Sequence, residues 1–324
     1  MHVLFVIDPL DTLNLTTETS LLLVEELARR GHSAAVATLP DLYLTEQGAG
    51  VRAAAIRLRL SGQPFYELGP AVDRAFTEFD LVLMRKDPPV DTAYLAATFI
   101  LERAGAVVPV VNDPVSLRTV NEKLWPLTLP QFAPPTLISS DVARLVAFAR
   151  THGRVVLKPL DDCSGRGIAL VDAEHAPQTI AAHLAAHAGR AHAGRPVLAQ
   201  QFLEGVAAGD KRILLLAGAP IGAVNRIPRS RDHLANIHQG ARVEATTLTV
   251  RDQAIIAAVR PLLRRHRLWL AGIDVIDGHL TEINVTSPSA ARQINAVSGT
   301  HVEVPIVDFL ENVKLKRKDV KRKT

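Results

Sequence analysis

The sequence predicts an α/β protein with an N-terminal parallel sheet flanked by helices, followed by two smaller α+β units. Three observations point there. Short apolar runs alternate with amphipathic stretches through the first third of the chain, which is the signature of βαβ units. A proline-rich segment at 131–135 then interrupts the alternation, and a fresh pattern of strands and helices begins after it. With 324 residues, 48% of them hydrophobic, the chain can bury cores for two or three compact units.

Taken in order, VLFVID (3–8) reads as a buried strand. Its apolar run, Val3 to Ile7, ends at Asp8 and Pro9, too short for a signal-peptide core or a membrane span. A helix near 18–30 with Gly31 as its stop, then the strand SAAVATL, complete the opening βαβ unit. DLVLMRK (80–86) is the next strand, 92–104 a helix, and VVPVVN (107–112) a further strand. DPVSLRTVNEKLWPL has a helical centre. The middle unit reads as strand PTLIS, helix DVARLVAFARTHG, strand VVLKPL, a polar glycine loop, strand GIALV and an alanine-rich helix, ending near Pro196. The last unit opens with VLAQQFLE. It continues in RILLLAG and APIGAVNRI, a hairpin closed around Gly218-Ala219, and passes through a polar loop (228–242) to a helix at 250–266 and the strands LAGIDVI and HLTEINV.

Composition removes several function classes. With Cys163 as the only cysteine, neither an intramolecular disulfide nor a cysteine-based zinc site can form, and a cytoplasmic location is expected. A pI near 9.4 invites a nucleic-acid reading. However, residues 314–324 hold seven Lys or Arg and one Asp, so the tail carries +6 of a whole-chain +4 and leaves the body at −2. The expectation is a solvated, disordered tail, with no nucleic-acid or membrane partner.

Three segments carry chemistry. GIDVIDGHLTEINVTSP is two strands joined at Asp277-Gly278, bearing Asp274, Glu282 and Asn284. Hard oxygen ligands of this kind suit magnesium, and Glu282 and Asn284, two apart on a strand, share a face. Asp274 joins them only through a three-residue loop (277–279) or a bulge, because a plain two-residue turn pairs it with Thr281 and turns it away; without either, these are ordinary turn acids on a solvated hairpin. KPLDDCSGRG (158–167) is a strand running into a glycine-bearing loop where backbone N–H groups can approach phosphate beside Lys158. No P-loop or dinucleotide fingerprint occurs. In GDKRILLL and NRIPRSRDHLAN, Arg212 and Arg226 lie at strand ends, where a guanidinium fork can grip carboxylate or phosphate. His183 and His187, i and i+4 on a helix with His175 and His192 nearby, lack an HExxH and a third spaced ligand, so they read as a solvated face.

Together these segments resemble the prokaryotic glutathione synthetases, a family of ATP-grasp ligases, up to about residue 310. MRKDPPVDT (84–92), NDPVSLRTVNEK (112–123), VLKPLD (156–161), GDKR (209–212) and LTEINVTSP (280–288) occur in the family's order. The resemblance implies an ATP-grasp fold with an N-terminal domain at 1–120, a central domain at 121–199, a C-terminal domain at 200–313 and the basic tail at 314–324. It places ATP against Lys123, Lys158, Gly165, Gly167, Asp210 and the hinge Gln200, Gln201, Phe202 and Leu203. Magnesium, or manganese in its place, falls to Asp274, Glu282 and Asn284. Substrate falls to Arg85, Arg212, Arg226, Asn236 and Ser287, with Arg212 and Arg226 stabilising charge in the reaction. The implied activity is ATP-dependent ligation of γ-glutamylcysteine to glycine through an acyl phosphate, by a homo-oligomer. Another ATP-grasp ligase with a different acid or amine, and a non-catalytic ATP-binding module, are the rival readings.

Two loops depart from the family pattern. Where the family typically has Gly-Met-Gly-Gly, this chain has Asp162-Cys163-Ser164-Gly165-Arg166-Gly167. After Ile227-Pro228, RSRDHLAN keeps Asn236 but carries Leu234 in place of an arginine. The polar stretch 227–241 is expected to act as a closing lid, since a water-exposed acyl phosphate would hydrolyse.

Overall fold

The computed structural model describes residues 1–59, 65–161, 167–187, 195–228 and 242–321, with backbone alone from 314. Along the chain it contains β1 (His2–Val6), α1 (Thr19–Arg29), β2 (Ser33–Ala37), β3 (Leu42–Thr45), β4 (Gly48–Leu58), β5 (Tyr66–Leu68), β6 (Val72–Ala75), β7 (Leu81–Met84), α2 (Thr92–Ala104), β8 (Val110–Val111) and α3 (Pro114–Thr119). The middle of the chain forms β9 (Thr136–Ser139), α4 (Val142–His152), β10 (Arg154–Pro159), β11 (Ala169–Asp172), α5 (Ala176–His187) and β12 (Val197–Gln201). The rest forms β13 (Asp210–Leu216), β14 (Ala219–Ile227), β15 (Arg242–Ala245), α6 (Val250–Arg265), β16 (Leu270–Ile276), β17 (His279–Asn284), α7 (Ala291–Ser298) and α8 (Glu303–Lys321).

The helices start and stop where local chemistry directs. Glu18 accepts from Ser20 N at 2.7 Å at the head of α1, and Asp91 accepts from Tyr94 N at 2.9 Å at the head of α2, each satisfying an otherwise orphaned donor. Gly31 follows α1 with φ of 75°, a left-handed backbone that glycine takes without cost.

Three sheets result. The first runs β3-β4-β2-β1-β7-β8, with β5 and β6 also on β4. β2, β1, β7 and β8 are parallel as expected, but β4 is antiparallel to β2, so the sheet is mixed. β4 alternates buried and exposed positions from Ala54 to Arg57, where it pairs with β2 and β5; at 50–51 and 53–54 neighbouring residues are both buried. The middle sheet is antiparallel, in the order β11-β10-β12-β9, and the last runs β15-β14-β13-β16-β17.

Three expectations are corrected here. β12 pairs with β10 and β9, so VLAQQ closes the middle sheet and the boundary at 199/200 falls inside a strand. The β13–β14 hairpin turns at Ala217-Gly218, both at positive φ, one residue earlier than expected; a two-residue hairpin of this hand needs φ above zero at both positions. The tail expected to be disordered from 314 instead continues the α8 backbone through Lys321. Lys and Arg are strong helix formers and are favoured at the negative end of the helix dipole.

The apolar cores are shared unevenly. One cluster joins Leu4, Val82, Met84 and Leu101 of the N-terminal sheet and α2 to Ile213, Ile255, Ile273 and Ile283 of the last unit. On the sheet's other face, Phe5, Leu21 and Leu27 join Leu214, Ile294, Ile306 and Leu310. The middle sheet keeps its own core of Leu145, Ala149, Val155, Leu157, Ile180 and Val197.

Candidate active site

The β16–β17 hairpin settles where Asp274 points. It closes with the two-residue turn Asp277-Gly278, Ile276 opposite His279, the arrangement that by itself misdirects Asp274. A bulge at Thr281 then restores the phase, so Asp274 stands directly opposite Glu282 and Gly272 opposite Asn284. Thr281 Oγ1 donates to Asp274 O at 3.2 Å and holds the bulge. Three oxygen-bearing side chains therefore share one face.

The same face continues across β13 and β14. Arg212 is paired with Asp274, and Arg226 with Asp210. Arg212 donates to Asp274 through Nε and, at 2.8 Å, through Nη2. Arg226 Nη2 lies 2.6 Å from Asp210 Oδ2 and 3.1 Å from Asp274 Oδ2, and Asn284 Nδ2 donates to Asp274 Oδ2 at 3.3 Å. Gly272 leaves the room: a Cβ there would stand 3.1 Å from Arg212 Cδ. Burial alone would raise the Asp274 carboxyl, but the charges of Arg212 and Arg226 outweigh it and hold the group far below the usual carboxylate range. At Asp210, burial wins over the Arg226 charge and pushes the carboxyl up to about 6.

Lys158 reaches this face from the middle sheet. Its Nζ donates to Gln200 Oε1 at 3.1 Å and lies 4.0 Å from Glu282 Oε1. Gln200 in turn donates to Thr136 Oγ1 at 3.1 Å, so its buried side chain orients a lysine. Gln201 N and Phe202 N donate to Pro135 O and Arg154 O, which commits those two donors to the fold; the Arg154 guanidinium covers the Phe202 ring at 4.2 Å. Leu203 follows, partly buried. Lys123 is buried at the turn joining the body to the middle unit. There Asn121 Nδ2 donates to Leu160 O at 2.9 Å, and Glu122 accepts from Val285 N, Thr286 N and Thr286 Oγ1 at 2.6, 2.8 and 2.9 Å. Burial raises the Glu122 carboxyl.

Arg85 lies elsewhere, at the C-terminal end of β7, with Ser287 near it in the loop before α7. Gly167 has φ of 67°, while Gly165, Asn236 and nearly all of the expected lid (229–241) lie outside the described residues. Sequence reasoning missed the roles of Glu122 and the Gln200 side chain. Glu122 had one signal, its place beside Lys123 in a quoted motif; Gln200 had none, because its partners come from other strands.

The oxygen set fits a hard divalent cation. Two carboxylates and an amide oxygen on one face are ordinary magnesium donors when phosphates and water complete the shell. Asp274 Oδ1 accepts from Arg212 Nε alone among the described residues, and a carboxylate oxygen has a second lone pair to offer.

The prokaryotic glutathione synthetase N-terminal domain model matches residues 1–118, and that family's ATP-grasp domain model matches 122–299. Glutathione synthetase of Gloeobacter violaceus is 40% identical over 316 residues, covering 96% of each chain. That of Synechocystis sp. is 39% identical, over 96% of this chain and 99% of its own. Among solved structures, a D-cycloserine synthetase superposes with a TM-score of 0.65 at 15% identity, over 95% of this chain and 99% of its own. An ATP-grasp protein from Sphaerobacter thermophilus gives 0.60 at 20%, over 96% and 99%. These two likenesses establish the fold.

Proposed function

The chain belongs to the prokaryotic glutathione synthetase family of ATP-dependent ligases, and from that premise we propose that it joins the cysteinyl carboxylate of γ-glutamylcysteine to the amine of glycine. The observation that carries this reading is the single face on which Arg226, Asp210, Arg212, Asp274, Glu282 and Asn284 converge, with Lys158 arriving from the opposing sheet. Cations on one side and oxygen donors on the other are what transfer of a phosphoryl group to a carboxylate requires.

Lys123 and Lys158 offset phosphate charge, with Gln200 fixing the direction of Lys158. Gly167, with Gly165 beyond the described residues, brings backbone toward the phosphates, and Asp210 offers an acceptor to the nucleotide. Asp274, Glu282 and Asn284 hold magnesium, or manganese, which when bound neutralises charge on the transferring group. The γ-phosphate passes to the peptide carboxylate, and the glycine amine then attacks the acyl phosphate and releases phosphate. Arg212 and Arg226, pre-set by Asp274 and Asp210, stabilise the oxyanion of that attack. Arg85, Ser287 and Asn236 handle the peptide. We place the enzyme in the cytoplasm as a homo-oligomer.

The test is ADP release measured against a panel of carboxylates and amines. The expected result is that kcat/KM is highest for γ-glutamylcysteine with glycine. A higher value for another pair reassigns the substrate, and no release with any pair overturns the ligase reading.

A further inference from the structure

β17 is the edge strand of the last sheet, paired with β16 alone. Which way its side chains face depends on the bulge at Thr281. Without the bulge, the turn at Asp277-Gly278 pairs Asp274 with Thr281 and puts Glu282 and Asn284 on the face opposite Asp274. The hairpin thus has two registers open to it, and the bulged one gathers the three oxygen-bearing side chains.

The free edge of β17 shows what selects that register. Backbone donors on a buried edge need acceptors, and a loop can supply them where no further strand does. Before the bulge, Leu280 N donates to Phe132 O at 2.8 Å; after it, Ile283 N donates to Glu122 O at 3.0 Å. Val285 N, Thr286 N and Thr286 Oγ1 then all donate to Glu122 Oε1, at 2.6, 2.8 and 2.9 Å. Phe132 and Glu122 therefore hold the edge on either side of the bulge. A one-residue slip past Thr281 would turn Ile283 N and Val285 N toward β16 and forfeit their bonds to Glu122.

The chemistry of the acceptor fits this task. Hydrogen bonds to an ionised acceptor are roughly twice as strong as neutral ones, so donors aimed together at one oxygen favour a carboxylate over an amide. Lys123, the next residue, is fixed separately. Its N donates to Asn121 Oδ1 at 3.0 Å, and Asn121 Nδ2 donates to Leu160 O at 2.9 Å. The Glu122 side chain is thus given to β17 and the loop after it, and the lysine does not depend on it.

We propose that Glu122 is a positioning residue for the cation site, pinning β17 in the bulged register and so keeping Glu282 and Asn284 on the face of Asp274. The inference rests on the reading of those three residues as the cation's ligands. Glu122 acts through the strand and contributes no ligand of its own.

The experiment measures ADP binding by titration calorimetry, once with manganese and once with EDTA, for the wild-type enzyme, Glu122→Ala and Glu122→Gln, and follows hydrogen exchange over residues 279–286. Glu122→Ala should weaken binding of ADP with manganese by about 10- to 100-fold, the range for removing a group that orients metal ligands, and Glu122→Gln by about tenfold. Metal-free ADP should bind both variants as it binds the wild type, because Asn121 still holds Lys123, while 279–286 should exchange faster in both. An equal loss of affinity with and without manganese means that Glu122 is merely structural and overturns the proposal. So does wild-type affinity for ADP with manganese in either variant. Should Glu122→Ala fail to fold, Glu122→Gln decides by the same two criteria. If manganese does not tighten ADP binding to the wild-type enzyme, the cation reading of Asp274, Glu282 and Asn284 is overturned instead.

Discussion

The middle unit and the rest of the molecule solve the problem of cohesion differently. Residues 136–201 surround one private apolar core beneath a four-stranded sheet. By contrast, the N-terminal sheet and the last sheet, separated in sequence by residues 112–209, share an apolar cluster on each face of the first sheet. Buried polar groups reinforce that union. Asn112 Nδ2 donates to Leu270 O and Val285 O, both at 2.7 Å, and its Oδ1 accepts from Leu270 N at 3.0 Å. On the other side Arg30 of the α1 C-terminus reaches Asp308 at 2.6 Å and Glu311 at 3.2 Å on α8. The body is thus one structure built from both ends of the chain. The middle unit is a module with its own core, joined to the body at the Asn121-Glu122-Lys123 turn, by the hydrogen bond from Val90 N to Asp161 O and by the packing of Val156 and Ile276 against Phe202 and Val206, and Lys158 is the charge it brings to the shared site.

The largest effect that can break this comparison is expected from Asn112→Ala, which orphans three buried backbone groups at once. A loss of roughly 4 kcal/mol follows from about 1–3 kcal/mol for each unsatisfied group. Urea unfolding should show it, and hydrogen exchange should report faster opening in β8 and β16 with the middle sheet unchanged. If protection in β10 and β12 falls equally, the two regions are one cooperative unit. Leu157→Ala sharpens the contrast from the other side. The cavity should cost about 3 kcal/mol, with exchange rising in β9–β12 while β1 and β7 keep their protection.

A smaller effect is expected where the two regions meet. Gln200→Met removes the acceptor that orients Lys158, and KM for ATP should rise about tenfold, the scale of a hydrogen bond to a charged group, with melting temperature little changed. A fall in kcat without a change in KM would mean that Lys158 is aimed by other contacts.

The smallest predicted effect separates the regions by pH. The hydrogen bond from Arg29, against the opposing effect of burial and with help from Arg30, holds the Glu26 carboxyl down at about 2 from an ordinary 4.5. A depressed carboxylate contributes stability that is present above its unfolded value and lost as pH falls through its folded one. The body should therefore lose on the order of 1 kcal/mol, after solvent screening at the exposed Arg29 partner, as pH drops from about 4.5 toward 2. Glu26→Gln should abolish that slope. The middle sheet, followed by its own exchange rates, should show no corresponding transition from this group.

Much of the fold was legible because local signals agreed with the final structure. The α2 helix occupies the expected 92–104, with Asp91 as its cap, and β16 the expected LAGIDVI segment. The antiparallel strands between 38 and 79 were not read: β3, β5 and β6 are runs of three or four residues, too short to show a period, and in β4 the buried neighbours at 50–51 and 53–54 break a period of two. The candidate site was legible as residue types and spacing. Its critical detail, the face of Asp274, rested on a bulge whose presence depends on how Thr281 is held from the neighbouring strand.

The sequence by itself determined the α/β alternation, the order of three units and the set of oxygen donors and cations available for chemistry, because these follow from period, turn residues and ligand hardness. Only the tertiary structure decided that VLAQQ belongs to the middle sheet, that the two ends of the chain share their cores, and that Arg85 is buried with no carboxylate hydrogen-bonded to it among the described residues. Each of those outcomes depends on which distant segment covers a given face or meets a given charge. Pairing and desolvation across long sequence separations leave no periodic trace in the residues that undergo them.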